Sequence, residues 1–264
     1  MLNKCLITKS KNLIKIVDLG IHPFADTFIK KNQLGLMEPV YPLQCYLCEK
    51  SGSIQLKYFT DSITRYNLYD YSYTSSNSKY SRNHWNSYYF DIMQNLQLSK
   101  KSKVLEIGSN DGFLLEKFKK QKITVVAIDS SAFMTKISRN KGIKSFNNTF
   151  DYKFSKILKN KFLSFDTIIA NNVLNHSNDP LNFMKGVYNL MNSKSTFVFE
   201  LPYWLDTIET KRYDQIYHEH VTYFTVKFTK NLLDKCNMFI HKIERNSYHG
   251  GSIRVYCKKR SKNY

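Results

Sequence analysis

VLEIGSNDGFLLEKF, residues 104–118, reads as a short apolar strand, an acid, two glycines set among polar residues and the start of a helix. Working outward from it, the chain alternates short β-branched runs with helical patterns. KVLEIGS is followed by a helix to Lys120, ITVVAIDSS by a helix from Ala132, and then come IKSFNN and FDTIIANNV. A helix over Pro180 to Met191, STFVFELP, a helix over Thr229 to Cys236, HKIERNSY and SIRVYCKK complete the series. Such alternation predicts a mostly parallel sheet wound on both faces. The last two strands, joined through His249, Gly250 and Gly251, must form an antiparallel hairpin, because parallel neighbours need a long crossover. No further domain is expected after it.

The upstream part is different in character. Residues 1–60 contain Gly20, Pro23, Pro39 and Pro42 and no long helical periodicity, which predicts a small loop-rich module. Residues 61–100 are rich in tyrosine and run into an aromatic helix ending near Leu98, and 101–264 form the α/β core. At 264 residues, 42% hydrophobic and 15% aromatic, the chain can bury a substantial core. Lysines interrupt the apolar positions of the N-terminus, and no stretch approaches bilayer-spanning length, so a cytoplasmic protein without membrane contact is expected. The net charge is +19, yet the lysines are dispersed with no run of five, which argues for compositional bias rather than nucleic-acid binding. Five cysteines, Cys5, Cys45, Cys48, Cys236 and Cys257, argue against a disulfide framework, and only Cys45 and Cys48 have metal-ligand spacing.

In a doubly wound sheet, ligands sit beyond the carboxyl ends of the strands. Gly108 and Gly112 would let backbone approach a ligand there, and Asp129, ending the second core strand, would accept ribose hydroxyls. A dinucleotide fingerprint would read G-x-G-x-x-G, whereas EIGSNDG places Glu106 and Asp111 where a pyrophosphate would be repelled. Carboxylates suit a ligand with an amino group and a sulfonium, so E-x-G-x-x-x-G with a second acid points to S-adenosylmethionine. Asn110 lies in the same loop, and Asn171 and Asn172, in ANNVLNHSNDP, would face the methionine moiety and the acceptor. The D/N-P-P-Y/F motif that holds a flipped base is absent from that stretch, which weakens a nucleic-acid substrate further.

VLEIGSNDGFLL, IDSS, ANNVLNHSNDP, VFELPYW, YDQIYHEHVTYF and GGSIRVY, in that order, resemble the S-adenosylmethionine-dependent C-methyltransferases of nucleotide-linked deoxysugars. DLGIHPFADTF, YPLQCYLC and YSYTSSNSKYSRNH extend the resemblance over nearly the whole chain. It implies a class I methyltransferase fold, a Rossmann-like seven-stranded sheet ending in the hairpin, preceded by a zinc module. The implied reaction removes a proton beside a 4-keto group and transfers the S-methyl to the resulting carbanion. The last histidine of YHEH, His220, is the implied base, and the chemistry independently asks for a base of near-neutral pKa. Glu219 or Tyr217 would orient it or stabilise the enolate. On an extended segment His218 and His220 would share a face while Glu219 pointed away, which disfavours metal binding there.

Tyr71, Tyr73, Ser75, Ser76 and His84 stand at the family's spacing; Tyr73 and His84 are expected as lids over cofactor and acceptor, the remaining tyrosines as core. Tyr71, His84, His218 and His249 are assigned to the acceptor side. The family's zinc module uses two C-x2-C pairs. The first reads Cys5-Leu6-Ile7-Thr8 here and the second is taken as Cys45 and Cys48, so zinc would need His22 or water beside three cysteines; a metal-free module is the alternative. The resemblance does not extend to the family's C-terminal sugar-nucleotide domain, so the core, the tyrosine segment, a second copy or a partner enzyme is expected to hold the acceptor. The leading function is a methyltransferase on a nucleotide-linked sugar, by analogy in surface glycan or capsule biosynthesis. The alternatives are an O-methyltransferase on a sugar or another phosphorylated metabolite, a nucleic-acid methyltransferase and a non-catalytic paralogue.

Overall fold

The computed structural model describes residues 3–25, 30–59 and 74–261. Its larger sheet has seven strands in the order β10-β11-β8-β7-β4-β5-β6. The strands β4 (Lys103–Ile107), β5 (Thr124–Asp129), β6 (Lys144–Asn147), at one edge, β7 (Phe165–Asn171) and β8 (Met191–Pro202) run parallel. β10 (Met238–Asn246) and β11 (Ser252–Lys259) form the antiparallel hairpin on β8. This is the mostly parallel sheet with a terminal hairpin that the alternation predicts. β4, β5 and β7 are mostly buried and rich in apolar residues on both faces because both faces are covered.

Seven helices among the described residues pack on the sheets: α1 (Lys79–Leu96), α2 (Phe113–Lys120), α3 (Ala132–Asn140), α4 (Tyr152–Phe162), α5 (Pro180–Leu190), α6 (Trp204–Glu209) and α7 (Val226–Asp234). Side-chain caps set several starts: Ser131 accepts from Met134 N, Asp151 from Phe154 N, and Asp179 from Asn182 N with Pro180 in the first turn. The sequence reading passed from β6 to β7 without a helix. α4 fills that gap because parallel strands of one sheet need a crossover, and Phe154, Ser155 and Leu158 give it a buried face. α7 begins earlier than expected because Thr225 caps it, accepting from Phe228 N. In α1, Trp85, Tyr88, Tyr89 and Ile92 are buried at helical spacing and pack with Leu115 and Phe118 of α2, so the described tyrosines of this helix are mainly core.

The N-terminal region is not loop-rich. β1 (Ile14–His22), β2 (Tyr41–Cys48) and β3 (Ser53–Leu56) form an antiparallel sheet whose fourth strand is β9 (Thr222–Tyr223), supplied by the core just after YHEH. Leu56 N donates to Val221 O at 2.9 Å, and Asn231 Nδ2 on α7 donates to Ser51 O at 2.9 Å. Cys5, Leu6, Ile7 and Cys48 belong to the same apolar cluster as Val221, Phe224 and Phe228. The N-terminal sheet therefore braces the segment that carries Tyr217 to His220. Among the described residues no helix is long and apolar enough to cross a membrane.

Candidate active site

The turn after β4 is stitched to the end of β5. Gly108 N and Ser109 N donate to Ile128 O at 2.8 and 3.0 Å, and Asn110 N donates to Asp129 Oδ2 at 2.7 Å. Gly108 has φ +70°, and a Cβ there would lie 2.2 Å from Val173 Cγ2, so no larger residue fits without displacing the loop after β7. Beyond the turn lies a cavity of about 520 Å³ lined from the β4–β5 side by Glu106, Gly108, Asn110 and Asp129, and from the side of β7, the loop after it and YHEH by Asn171, Asn172, His176, Tyr217, Glu219 and His220.

Two acids mark the first side. Glu106 is 5% exposed and its Oε2 has no hydrogen-bond partner among the described residues. Burial, reinforced by the negative Asp111 and Asp129, pushes its carboxyl well above the usual carboxylate range. Asp129 is raised as well, by burial, although its oxygens accept from Asn110 N and Ser131 N. Among the described residues neither acid has a cationic neighbour that would settle its charge, so a ligand bearing an amine, hydroxyls or a cation would be favoured between them.

The second side turns on a tight bend. His220 N donates to Tyr217 O and Val221 N to Glu219 O, each at 3.0 Å, so Tyr217–His220 is a turn and not an extended segment. That corrects the expected facing. Glu219 and His220 line the cavity together, while His218 points the other way, donating from Nε2 to Tyr41 O at 3.2 Å with Phe24 and Tyr41 edge-on to its ring. Because His220 Nδ1 lies 2.8 Å from Gln215 O, a pure acceptor, the proton sits on Nδ1 and Nε2 carries the basic lone pair. Tyr217 packs on that ring at 4.1 Å, and His176 meets it edge-on at 5.0 Å. Glu219 Oε2 stands 3.7 Å from His176 Nδ1.

Several expected roles shift. Asp111 does not line the cavity: Ser75 Oγ and Ser76 Oγ donate to its two oxygens at 2.8 and 2.6 Å and Lys141 Nζ at 3.2 Å. Those partners outweigh burial and hold its carboxyl below the ordinary range, so Asp111 latches the tyrosine segment to the glycine turn. Gly112, at φ +76°, shapes the start of α2 behind the cavity wall, because a Cβ would strike Ser138 and Ile143. His84 is not a lid: its Nε2 donates to Glu200 Oε1 at 2.5 Å and its ring stacks on Tyr248 at 3.8 Å. Tyr71 and Tyr73 lie outside the described residues. Cys45 and Cys48 are not a pair. Three residues apart on β2 they face opposite ways, Cys48 toward Cys5 and Cys45 into a separate cluster with Tyr223. Burial pushes the Cys45 thiol up to about 12.

His249 does line the cavity, at φ +53° in the hairpin loop. Burial lowers its pKa from the ordinary 6.5 to about 4. A depressed histidine costs stability as pH falls below its unfolded value, because only the unfolded chain then takes up the proton. Relative to His249→Asn, which tolerates a left-handed backbone, the protein is expected to lose up to about 3 kcal/mol between pH 6.5 and 4. Urea unfolding of both proteins across that range measures it. A constant difference would show that the ring is protonated alike in both states.

The family comparison rests on this same region. A methyltransferase domain model matches residues 82–241, spanning the glycine turn, the cavity and YHEH. The chain belongs to this methyltransferase family. A zinc binding domain model matches residues 5–66 of the methyltransferase. The C-methyltransferase NovU of Streptomyces niveus is 20% identical over 97% of this chain and 60% of its own length. An uncharacterised methyltransferase of Schizosaccharomyces pombe is 31% identical over 42% of this chain and 44% of its own. The methyltransferase thus spans less than two thirds of either relative. Among solved structures, the PH0226 protein of Pyrococcus horikoshii superposes with TM-score 0.56 at 14% identity, over 74% of this chain and 98% of its own. Magnesium protoporphyrin IX methyltransferase of Synechocystis, solved with S-adenosylhomocysteine, gives TM-score 0.52 at 14% identity over 67% and 83%. Those likenesses establish the class I S-adenosylmethionine-dependent methyltransferase fold. The residues present fit that donor, since the orphaned Glu106 Oε2 and the close approach at Gly108 are what an amino-bearing nucleoside would use.

His176, Gln215, Glu200 and Arg254 were not singled out in the sequence. His176 sits in the ANNVLNHSNDP stretch read only for its asparagines, and a histidine just after the fourth core strand was the available signal.

Proposed function

We propose that this methyltransferase acts on a small molecule, a nucleotide-linked 4-keto deoxysugar, and methylates the carbon beside the ketone with His220 as the base. The observation that carries this is the hydrogen bond from His220 Nδ1 to Gln215 O, which makes Nε2 the basic atom of a ring that lines the same cavity as the glycine turn. S-adenosylmethionine, when bound, supplies an electrophilic methyl group on a sulfonium. Glu106 and Asp129 would bind its amino and ribose groups, Asn110, Asn171 and Asn172 would line its path, and Gly108 leaves room for it. His220 Nε2 takes the acidic C–H proton and holds it as imidazolium. Glu219, beside His176, stabilises that positive charge, and Tyr217 keeps the ring in place. His249, neutral at physiological pH, faces the acceptor.

Likeness to a C-methyltransferase over 97% of this chain supports carbon as the methylated atom. By analogy the product enters a surface glycan or capsule, made in the cytoplasm. The N-terminal sheet enters this chemistry only by bracing the turn that carries His220.

The test is hydrogen exchange. The protein, S-adenosylhomocysteine and a panel of nucleotide-linked 4-keto deoxysugars are incubated in deuterium oxide. Deuterium entering the carbon beside the ketone supports the reading. Methyl transfer to a hydroxyl without such exchange would replace it with O-methylation, and a panel giving neither exchange nor transfer would remove sugars as acceptors.

A further inference from the structure

The zinc binding domain match begins at Cys5, which lies in the first of two facing turns. Residues 5–8 form a turn in which Thr8 N donates to Cys5 Sγ at 3.4 Å and Lys9 N to Cys5 O at 3.0 Å. Residues 48–51 form a second turn, closed by Ser51 N and Gly52 N donating to Cys48 O at 3.1 and 2.8 Å. The two turns face each other and are buried, with Cys5, Cys48 and Ser51 each 0% exposed. Each pair of ligand positions is therefore spaced as C-x2-C, but reads Cys5 with Thr8 and Cys48 with Ser51.

The contacts between the turns are crossed. Cys5 Sγ meets Ser51 Oγ at 3.2 Å, and Cys48 Sγ meets Thr8 Oγ1 at 3.6 Å. Structural zinc takes four ligands from thiolate, imidazole and carboxylate, and a neutral hydroxyl is none of these. All five cysteines and seven histidines lie in the described residues, so the thiol and imidazole replacements can be checked. Cys45 faces the other side of β2, His22 gives its Nε2 to Leu19 O at 2.6 Å on the exposed β1, and His218 is held by Tyr41 O. Among the described residues no three histidine, cysteine or acidic side chains gather into a metal-holding group.

We propose that this module has exchanged its zinc for a pair of crossed thiol–hydroxyl contacts, with Thr8 and Ser51 at two of the four ligand positions. The neighbouring bonds serve the same closure without metal: Gln55, buried on β3, accepts from Leu6 N at 3.0 Å and donates to Lys4 O at 3.1 Å. The sheet that braces the Tyr217–His220 turn is then independent of zinc supply.

The test measures metal in the full chain expressed in zinc-supplemented medium and purified without chelator. Wild type is expected to carry no more than about 0.1 zinc per chain, and a chelator should leave its melting temperature unmoved. Thr8→Cys with Ser51→Cys is expected to carry about one zinc per chain and to melt lower once chelator is added. Thr8→Val with Ser51→Ala should lower the melting temperature in metal-free buffer. A wild type with stoichiometric zinc whose removal lowers its melting temperature would overturn the proposal even if the double-cysteine protein failed to fold. A folded double-cysteine protein that takes up no zinc would overturn the assignment of ligand positions, and an unchanged melting temperature in the Thr8→Val, Ser51→Ala protein would overturn the role of the crossed contacts.

Discussion

His220→Ala is expected to lower turnover by about 10²- to 10⁴-fold while leaving affinity for S-adenosylmethionine little changed. The separation follows from the cavity. Glu106, Gly108 and Asp129 line it from β4, the glycine turn and β5, and His220 lines it from the separate Tyr217–His220 turn. Removing the imidazole deletes the Nε2 lone pair that the Gln215 carbonyl makes available, yet leaves the glycine turn and its bonds to Ile128 intact. The measurement is single-turnover methyl transfer beside calorimetric titration of the donor, with deuterium wash-in as the independent readout. A merely structural histidine would move the melting temperature and both ligand affinities together; a base would remove the exchange and leave the fold. Exogenous imidazole should restore part of the exchange in the alanine variant. Exchange at the wild-type rate in His220→Ala would place the base elsewhere, with His176 the next candidate because it shares the cavity and stands beside Glu219.

The parts legible in the sequence were those whose pattern has one structural meaning. Gly108 reads correctly because a glycine after an apolar strand and before a helix has few other uses, and its φ of +70° and the 2.2 Å approach to Val173 are the physical content of that reading. The strand and helix alternation read correctly because β4, β5 and β7, mostly buried, are rich in apolar residues on both faces with no competing period. What misled was spacing without conformation. Cys45 and Cys48 are spaced like ligands, but on a strand that spacing turns them to opposite faces, and Ser51, whose hydroxyl meets Cys5 Sγ, carries no metal signal because it is not a cysteine. YHEH reads as extended because no glycine or proline announces the bend that brings Glu219 and His220 to one cavity. The latch from Ser75 and Ser76 to Asp111 joins residues 35 and 36 apart, and pairings across such gaps leave no local pattern.

Arg254→Met is expected to lower stability by about 3–5 kcal/mol, the cost of leaving a buried charge without its partner. Arg254 and Glu200 face each other across the β11–β8 pair, with Arg254 Nε donating to Glu200 Oε2 at 2.8 Å. Glu200 is fully buried and Arg254 is 4% exposed, so neither charge can turn to water. Burial alone would raise Glu200, but His84 and Arg254 together hold its carboxyl below the ordinary carboxylate range. Its contribution to stability is therefore present above the unfolded value of 4.5 and lost as pH falls through the lower folded value. Arg254 also donates to Asp91 Oδ2 at 2.8 Å and lies 4.2 Å over the Tyr88 ring, fastening α1 to the sheet. Asn246 Nδ2 adds a bond to Glu200 Oε2 at 3.1 Å, so the pair ties the hairpin, α1 and the end of β8 into one network beneath His249. Urea unfolding of Arg254→Met, Glu200→Leu and the double variant forms the cycle that isolates the pair. The double variant is expected to recover most of the loss, since an apolar pair of similar size has no charge to desolvate. If Arg254→Met unfolds like wild type, the His84 and Asn246 bonds alone suffice for Glu200 and the arginine serves only to hold Asp91.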